Sequence, residues 1–420
     1  MTINNQILKT LLLLMGGLLF FRFGSHTPIP YINSAVFEEL FKNEAGGVLQ
    51  FLNLVGGGSL SRMSVFTLGI MPYISAGIMI YIFQLASPKF KELQGSEEGK
   101  IKVEQIKRFL TLFIVFSQSM AIARLLEGQT INGEYVASLS GVNFYFTTFL
   151  ALLSGTFVVV WLANTLTFVG VGSGVSLVIL FGICASLPIT FTTMSDLVKS
   201  GSISVVEVSA IVSVMIVALW VVIKVENGTR LVPVMKPTRE GVRQSTITFK
   251  ANPIGIMPPI FAAISLSMPI ALADLFAGVS PVFVSNIKSW LSVGSFTHLV
   301  GFLVLTYVFG FVLAGVMLSP KKQAESLSNQ GVVIKGYRPG HPTRDYLKKL
   351  FDALTLIACT YLVLICSIPE LLQMSIGVPV YMSGTSILII VSVSSDVRNG
   401  LLRLVNVSQA ELKKEKVLIK

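Results

Sequence analysis

Residues 50–66 read QFLNLVGGGSLSRMSVF. The stretch is too apolar for an ordinary surface loop, yet Gly56, Gly57, Gly58 and Arg62 are poor choices for a span facing lipid. Its neighbours decide its meaning. Apolar blocks lie on either side, at about 7–23 and 68–86, each near the 17–25 residues that cross a hydrocarbon core of roughly 30 Å. Consecutive glycines cost a helix roughly 1 kcal/mol each relative to alanine, while Leu49, Leu52, Leu54 and Val55 leave one side apolar. The stretch reads as a weak amphipathic segment set between two membrane spans.

The rest of the 420-residue chain repeats the pattern of those neighbours. It is 53% hydrophobic and 13% charged, with a mean hydropathy of +0.76, whereas soluble domains carry roughly 25% charge. Eight further apolar blocks follow, near 109–125, 144–168, 174–194, 203–223, 254–273, 297–318, 353–373 and 377–396. Prolines 72, 188, 258 and 259 fall inside blocks, where neighbouring helices satisfy the freed backbone groups. The first block is a span rather than a cleaved leader, because FRFGSHTPIP after it lacks a small-residue cleavage site.

Charge sets the orientation. Of the 32 Lys and Arg residues, 26 lie at the amino terminus, in connections 87–108, 224–253 and 319–352, and in the tail 397–420. Lys42, Arg62, Arg124, Lys199 and Lys288 lie on the other side, with Arg22 at the outer end of the first span. Both termini are therefore expected in the cytoplasm. The same asymmetry accounts for the net charge of +11 without nucleic acid.

The blocks are chemically quiet. Cys184, Cys359 and Cys366 lie inside them and read as small buried hydrophobes. His26, His298 and His341 are far apart, and no metal spacing exists. No ionisable residue is found in the middle of a block; Lys9, Arg22, Glu207, His298 and Asp352 sit near block ends. Ion-coupled transporters usually keep such groups in mid-membrane. A secondary transporter for a small solute stays open as a second reading, because backbone and hydroxyl groups also line substrate sites. GVGSGVS (170–176) and GGGSLS (56–61) lack the flanking strand, acid or lysine of nucleotide-binding loops. No enzyme and no cofactor is expected.

Polar residues collect instead in 319–352, a connection too long to be a mere link. Its GYRPGHP tip (336–342) fixes the backbone with two glycines and two prolines and projects Tyr337 and Arg338. Such a tip suits docking of a large partner.

In order, the chain carries FRFGSHTPIP (21–30), GGGSLSRMSVFTLGIMPYISAGIMI (56–80), GVGSGVSLVI (170–179), PPIFAA (258–263), GYRPG (336–340) and VPVYMSGTSILI (378–389). With these motifs it resembles the SecY family of protein-conducting channels over about residues 7–410. The resemblance implies an all-α polytopic membrane protein: ten transmembrane helices in two inverted five-helix halves, 1–196 and 197–420, around an hourglass pore with a plug. It places a ring of aliphatic side chains at Ile70, Ile74, Val175, Ile179, Ile260 and Ile389. It places the plug within 49–66, at Asn53, Leu54, Val55, Gly56, Gly57, Gly58, Ser59, Leu60 and Ser61, and a lateral gate between spans two and seven with their neighbours. Gly336, Tyr337, Arg338 and Arg230 would meet a SecA-like motor ATPase or a ribosome.

The implied function is translocation of unfolded secretory chains and lateral insertion of membrane proteins. The implied partners are SecE-like and SecG-like small subunits, signal sequences and lipid, with no nucleic acid other than ribosomal RNA. The implied location is the bacterial inner membrane, with the plastid thylakoid as alternative. The chain departs from the family pattern in WLANTLTFVG (161–170), where Asn164, Phe168 and Val169 stand at usually charged positions. Tyr81 replaces a glutamine late in span two, and connection 224–253 keeps Arg230 and Pro233 but has a thinner basic cluster. Contacts through those loops therefore do not follow from the resemblance.

Overall fold

The computed structural model describes residues 3–44, 53, 56–87, 90, 96–127, 130–131, 134–170, 172–201, 203–238, 241–275, 281–291, 295–376 and 384–418. Each apolar block holds one helix. In the amino-terminal part these are α1 (Ile3–Gly24), α3 (Met71–Ala86), α4 (Glu97–Leu126), α5 (Val142–Phe168) and α6 (Gly174–Lys199), with a short α2 (Ser34–Glu44) between the first two. In the carboxy-terminal part they are α7 (Val205–Glu226), α8 (Met257–Leu275), α10 (Phe296–Met317), α12 (His341–Ile376) and α13 (Gly384–Leu418), with short α9 (Pro281–Leu291) and α11 (Pro320–Asn329). The first residues of the tenth block, 377–383, lie outside the described residues. Among the described residues, six helices are long and apolar enough to cross a membrane by length and composition, and α3, α6 and α8 contain shorter apolar stretches.

Caps explain several boundaries. Ser96 accepts the Gly99 N–H at 3.1 Å to start α4. Ser204 and Glu207 form a reciprocal capping box at the start of α7, at 3.2 and 2.8 Å. Pro72 stands in the first turn of α3, where its missing N–H costs nothing. With 16 residues, α3 spans about 24 Å at 1.5 Å per residue, less than the roughly 30 Å core. Segment 56–70 completes the path without helix; Gly56, Gly57, Gly58, Ser59, Met63, Ser64 and Phe66 are buried there. Irregular backbone is stable at membrane depth when enclosed by protein in this way.

Packing divides the helices into two groups. Helices α3, α4, α5 and α6 pack in succession and α1 lies against α5 and α6; α8, α10 and α12 pack in succession and α7 joins α12 and α13. The groups meet along α13 against α6 and α1 on one side. On the other, α3 and α4 touch α8 and α10 more sparsely than the successive helices of either group touch one another. One large apolar core runs through both groups, and a second gathers Ile29, Met63, Leu126, Phe144 and Leu152 towards one face.

A sheet lies in the long connections. Strands β3 (Thr229–Thr238) and β4 (Gly241–Lys250) pair antiparallel from Thr229↔Lys250 to Thr238↔Gly241, and β5 (Val333–Ile334) adds to β3. A small pair, β1 (Thr130–Ile131) and β2 (Glu134–Tyr135), joins α4 to α5. Val232 and Val234 of β3, Ile334 of β5, Ala324 of α11 and Leu347 and Phe351 of α12 form a third core. Connections 224–253 and 319–352 are thus one packed unit. The all-helical reading holds for the spans and omits this sheet.

The cysteines also divide. Cys359 and Cys366 are buried as expected, but Cys184 is exposed, because its side of α6 turns away from the bundle.

Candidate functional site

The six ring positions come from four separate parts of the chain. Ile70 is the N-cap residue of α3 and Ile74 follows one turn later; Val175 and Ile179 lie in the first turns of α6, Ile260 in the first turn of α8 and Ile389 near the start of α13. Ile70, Ile179, Ile260 and Ile389 are at most 2% exposed and Ile74 is 7% exposed, all in one cluster, with Val175 packed against it. At that exposure the five isoleucines pack on protein rather than line a water-filled lumen.

Gly174 sets how α6 enters this cluster. A Cβ there would lie 1.7 Å from the carbonyl oxygen of Ala163 on α5. Its N–H donates to Thr167 Oγ1 at 2.9 Å. Gly174 is therefore a point of close approach that tucks the start of α6 under the end of α5.

The segment before the ring is folded back on itself. Asn53 accepts through its backbone carbonyl from Gly58 N–H at 2.8 Å and through Oδ1 from Ser61 N–H at 2.9 Å. Ser59 Oγ donates to the Phe66 carbonyl at 3.0 Å, and Thr67 Oγ1 donates to the Ser59 carbonyl at 3.2 Å. Gly57, at φ 70°, has room for no side chain: a Cβ would meet Phe21 of α1 at 3.1 Å and Gly182 of α6 at 3.3 Å. Leu60 packs towards the second core. Leu49, Leu52, Leu54 and Val55 lie outside the described residues.

Across the sparse side, the Tyr81 ring of α3 sits 6.2 Å from that of Phe261 on α8. Phe261 in turn meets Phe309 of α10 edge-on at 5.9 Å. The position read as losing a glutamine therefore carries an aromatic contact across the seam.

The projecting tip is rigid. Gly336 and Gly340 take φ 89° and 99°, the Tyr337 ring lies 4.5 Å from that of Tyr346, and Thr343 Oγ1 donates to the Arg338 carbonyl at 2.8 Å. The Arg338 side chain is exposed, as is that of Arg230 on β3 of the same unit.

One buried pair escaped the sequence reading. Glu370 of α12, three residues from the end of its block, meets His298 of α10 through Nδ1, and both side chains are buried. The signal was present, since Glu370 is an acid inside an apolar run, but its partner is 72 residues away.

A family model described as SecY matches residues 64–398. The protein translocase subunit SecY of Escherichia coli (strain K12) is 32% identical over 429 residues, covering 99% of this chain and 95% of that protein. The SecY subunit of Aquifex aeolicus (strain VF5) is 33% identical, covering 90% of this chain and 89% of its own length. Among solved structures, one described as a protein conducting channel superposes with TM-score 0.70 at 17% identity, over 93% of this chain and 91% of that one. Sec61 in a canine ribosome-channel complex from the endoplasmic reticulum gives TM-score 0.66 at 16% identity, over 93% and 91%.

Proposed function

This chain belongs to the SecY family and is a membrane-embedded protein-conducting channel subunit, not an enzyme; from that premise we propose which residues do the work. Ile70, Ile74, Val175, Ile179, Ile260 and Ile389 form the waist through which an unfolded chain passes. The observation that supports this is that five of them come from α3, α6, α8 and α13 to be buried in one apolar core, with Val175 packed against it. A waist of this kind excludes ions by dewetting. Its contacts are non-directional, so it yields to any sequence without breaking specific bonds. The channel does no covalent chemistry, and the driving energy comes from a partner or from the membrane potential.

Segment 53–61 is the plug, seated on α1 and α6 through Gly57. The seam of α3 and α4 against α8 and α10 is the exit for signal sequences and hydrophobic segments. Residues 1–196 and 197–420 are the two halves that part there. Gly336, Tyr337, Arg338 and Arg230 form the docking face for a SecA-like motor ATPase or a ribosome; the canine Sec61 channel in its ribosome complex supports the second partner. SecE-like and SecG-like subunits complete the channel. The bacterial relatives and the uneven spread of Lys and Arg support an inner-membrane location with both termini in the cytoplasm.

The test is a secretory chain stalled in the active complex with a photo-cross-linker at position 74 or 179. Capture of the stalled chain at both positions is expected. An active complex that yields no such adduct at either position overturns the pore assignment.

A further inference from the structure

We propose that Tyr73, held by Glu104 and Lys107 of α4, is a positioning residue that sets the rotation of α3 and so aims Ile70 and Ile74 into the waist. The inference rests on the ring assignment above. Its starting point is a weakness in α3. The two ring positions lie at the helix's first turn, and Ile70 caps that turn without a side-chain hydrogen bond. The chain before it is a run of turns rather than helix. The first four N–H groups of a helix have no partner within it, so this end has little of its own to fix its rotation.

Tyr73 supplies the missing constraint from the side. At 3.6 residues per turn, successive side chains are about 100° apart, so Tyr73 projects about 60° from Ile70 and about 100° from Ile74. It is therefore offset from both ring positions on the helix, and it reaches α4. Its hydroxyl donates to Glu104 Oε1 at 3.1 Å. The Lys107 ammonium lies 3.5 Å from the centre of its ring, within cation–π range. Arg108 Nε stands 3.8 Å from the same carboxylate oxygen of Glu104.

One turn further along α3, Gly77 faces the lysine stem: a Cβ there would sit 3.4 Å from Lys107 Cε, in ordinary van der Waals contact. Tyr73 and Gly77 thus both face α4, where Glu104 meets the hydroxyl and Lys107 lies over the ring. A buried tyrosine needs a partner only for its hydroxyl. Here the ring, the hydroxyl and the following turn are all gripped by one helix, which resists rotation in either sense. The same grip joins α3 to α4, so the two move together when the seam opens.

The experiment uses the full chain purified in its native complex and reconstituted into phospholipid vesicles, with ion leak per channel as the readout and the thermal unfolding midpoint measured alongside. Tyr73→Phe and Lys107→Met are each expected to raise the leak at least threefold, with the unfolding midpoint little changed. Lys107→Arg, which keeps the cation over the ring, should return the leak to the parental level. Ile74→Gly serves as the reference arm for the ring itself. If Ile74→Gly leaks while Tyr73→Phe and Lys107→Met stay at the parental level, the ring assignment stands and the positioning role is overturned. If Ile74→Gly does not leak, the ring assignment fails and takes this inference with it. Should Tyr73→Phe not accumulate in membranes, Lys107→Met decides the matter on the same readout.

Discussion

Gly174 and His298 show two ways in which single residues govern this molecule. At Gly174 the constraint is space, because the nearest atom to an added Cβ is a backbone oxygen on α5, at 1.7 Å. Gly174→Ala must push the start of α6 aside, at an overpacking cost of about 1–3 kcal/mol. The unfolding midpoint of the purified chain should fall by several degrees, whereas Gly16→Ala, with nothing within 4 Å, should leave it level or raise it. Equal midpoints for the two variants would contradict this. At His298 the constraint is a buried hydrogen bond. His298→Leu leaves the Glu370 carboxyl in the core without this partner, and a buried polar group left in this way costs about 1–3 kcal/mol. The double change His298→Leu with Glu370→Leu should recover most of that loss, which a double-mutant cycle on denaturation midpoints reads directly. An additive cycle would mean the two groups do not interact. The ring assignment could be proposed from sequence because family motifs carry those positions in fixed order. Glu370 was not, since a span read alone gives no sign of which other span will face it.

Elements were legible where one period dominates. Every apolar block became a helix, because a span-length run has no other stable form in lipid. The sheet was missed because β3 contains Pro233 and Pro237, and proline normally argues against a strand. Inside it, Val232 and Val234 still alternate inward between the exposed Leu231 and Pro233. The glycines of segment 56–58 were read as helix breakers; Gly57 at least is there for close approach to α1 and α6. The join between α4 and α5 is a device that no pattern announces. Gly141, the N-cap of α5, offers no side chain. Glu127, the residue after α4, takes over by accepting the Gly141 N–H at 2.7 Å and the Tyr145 hydroxyl. Those two donors hold its carboxyl below the ordinary glutamate value, the Tyr145 bond first and the Gly141 bond second. A lowered folded-state pKa stabilises the join above the unfolded value of about 4.3 and is lost as pH falls through the folded value. Acidification from about pH 5 to pH 3 should therefore lower the parental unfolding midpoint more than that of Glu127→Gln. Parallel slopes for the two proteins would remove Glu127 from this role.

At the scale of the whole molecule, function depends on where packing is weak. The two helix groups are closely held along α13 against α6 and α1 and lightly held where α3 and α4 meet α8 and α10. A channel that releases segments sideways needs this imbalance, so that one seam opens while the other acts as hinge. Ten spans could be read from the sequence, with their sidedness as an expectation from charge, but the location of the weak seam came with the resemblance and acquired its contacts only in three dimensions. Tyr81 and Phe261 bridge that seam with ring centres 6.2 Å apart, a contact worth about 0.5–1.5 kcal/mol beyond its buried area. That is enough to bias the seam shut and small enough for a passing hydrophobic segment to outweigh, since one fully buried leucine-sized side chain contributes about 1.5–3 kcal/mol. Two variants follow from these magnitudes. Tyr81→Ala should let signal sequences about one large apolar residue shorter engage the channel. In a Cys184→Ser background, cysteines at 81 and 261 joined by a short bis-maleimide with a disulfide in its spacer should stop membrane insertion and signal-sequence entry, and reducing the spacer should restore both. If the bridged channel still inserts membrane proteins at the parental rate, the exit lies elsewhere and the weak seam is only a feature of packing.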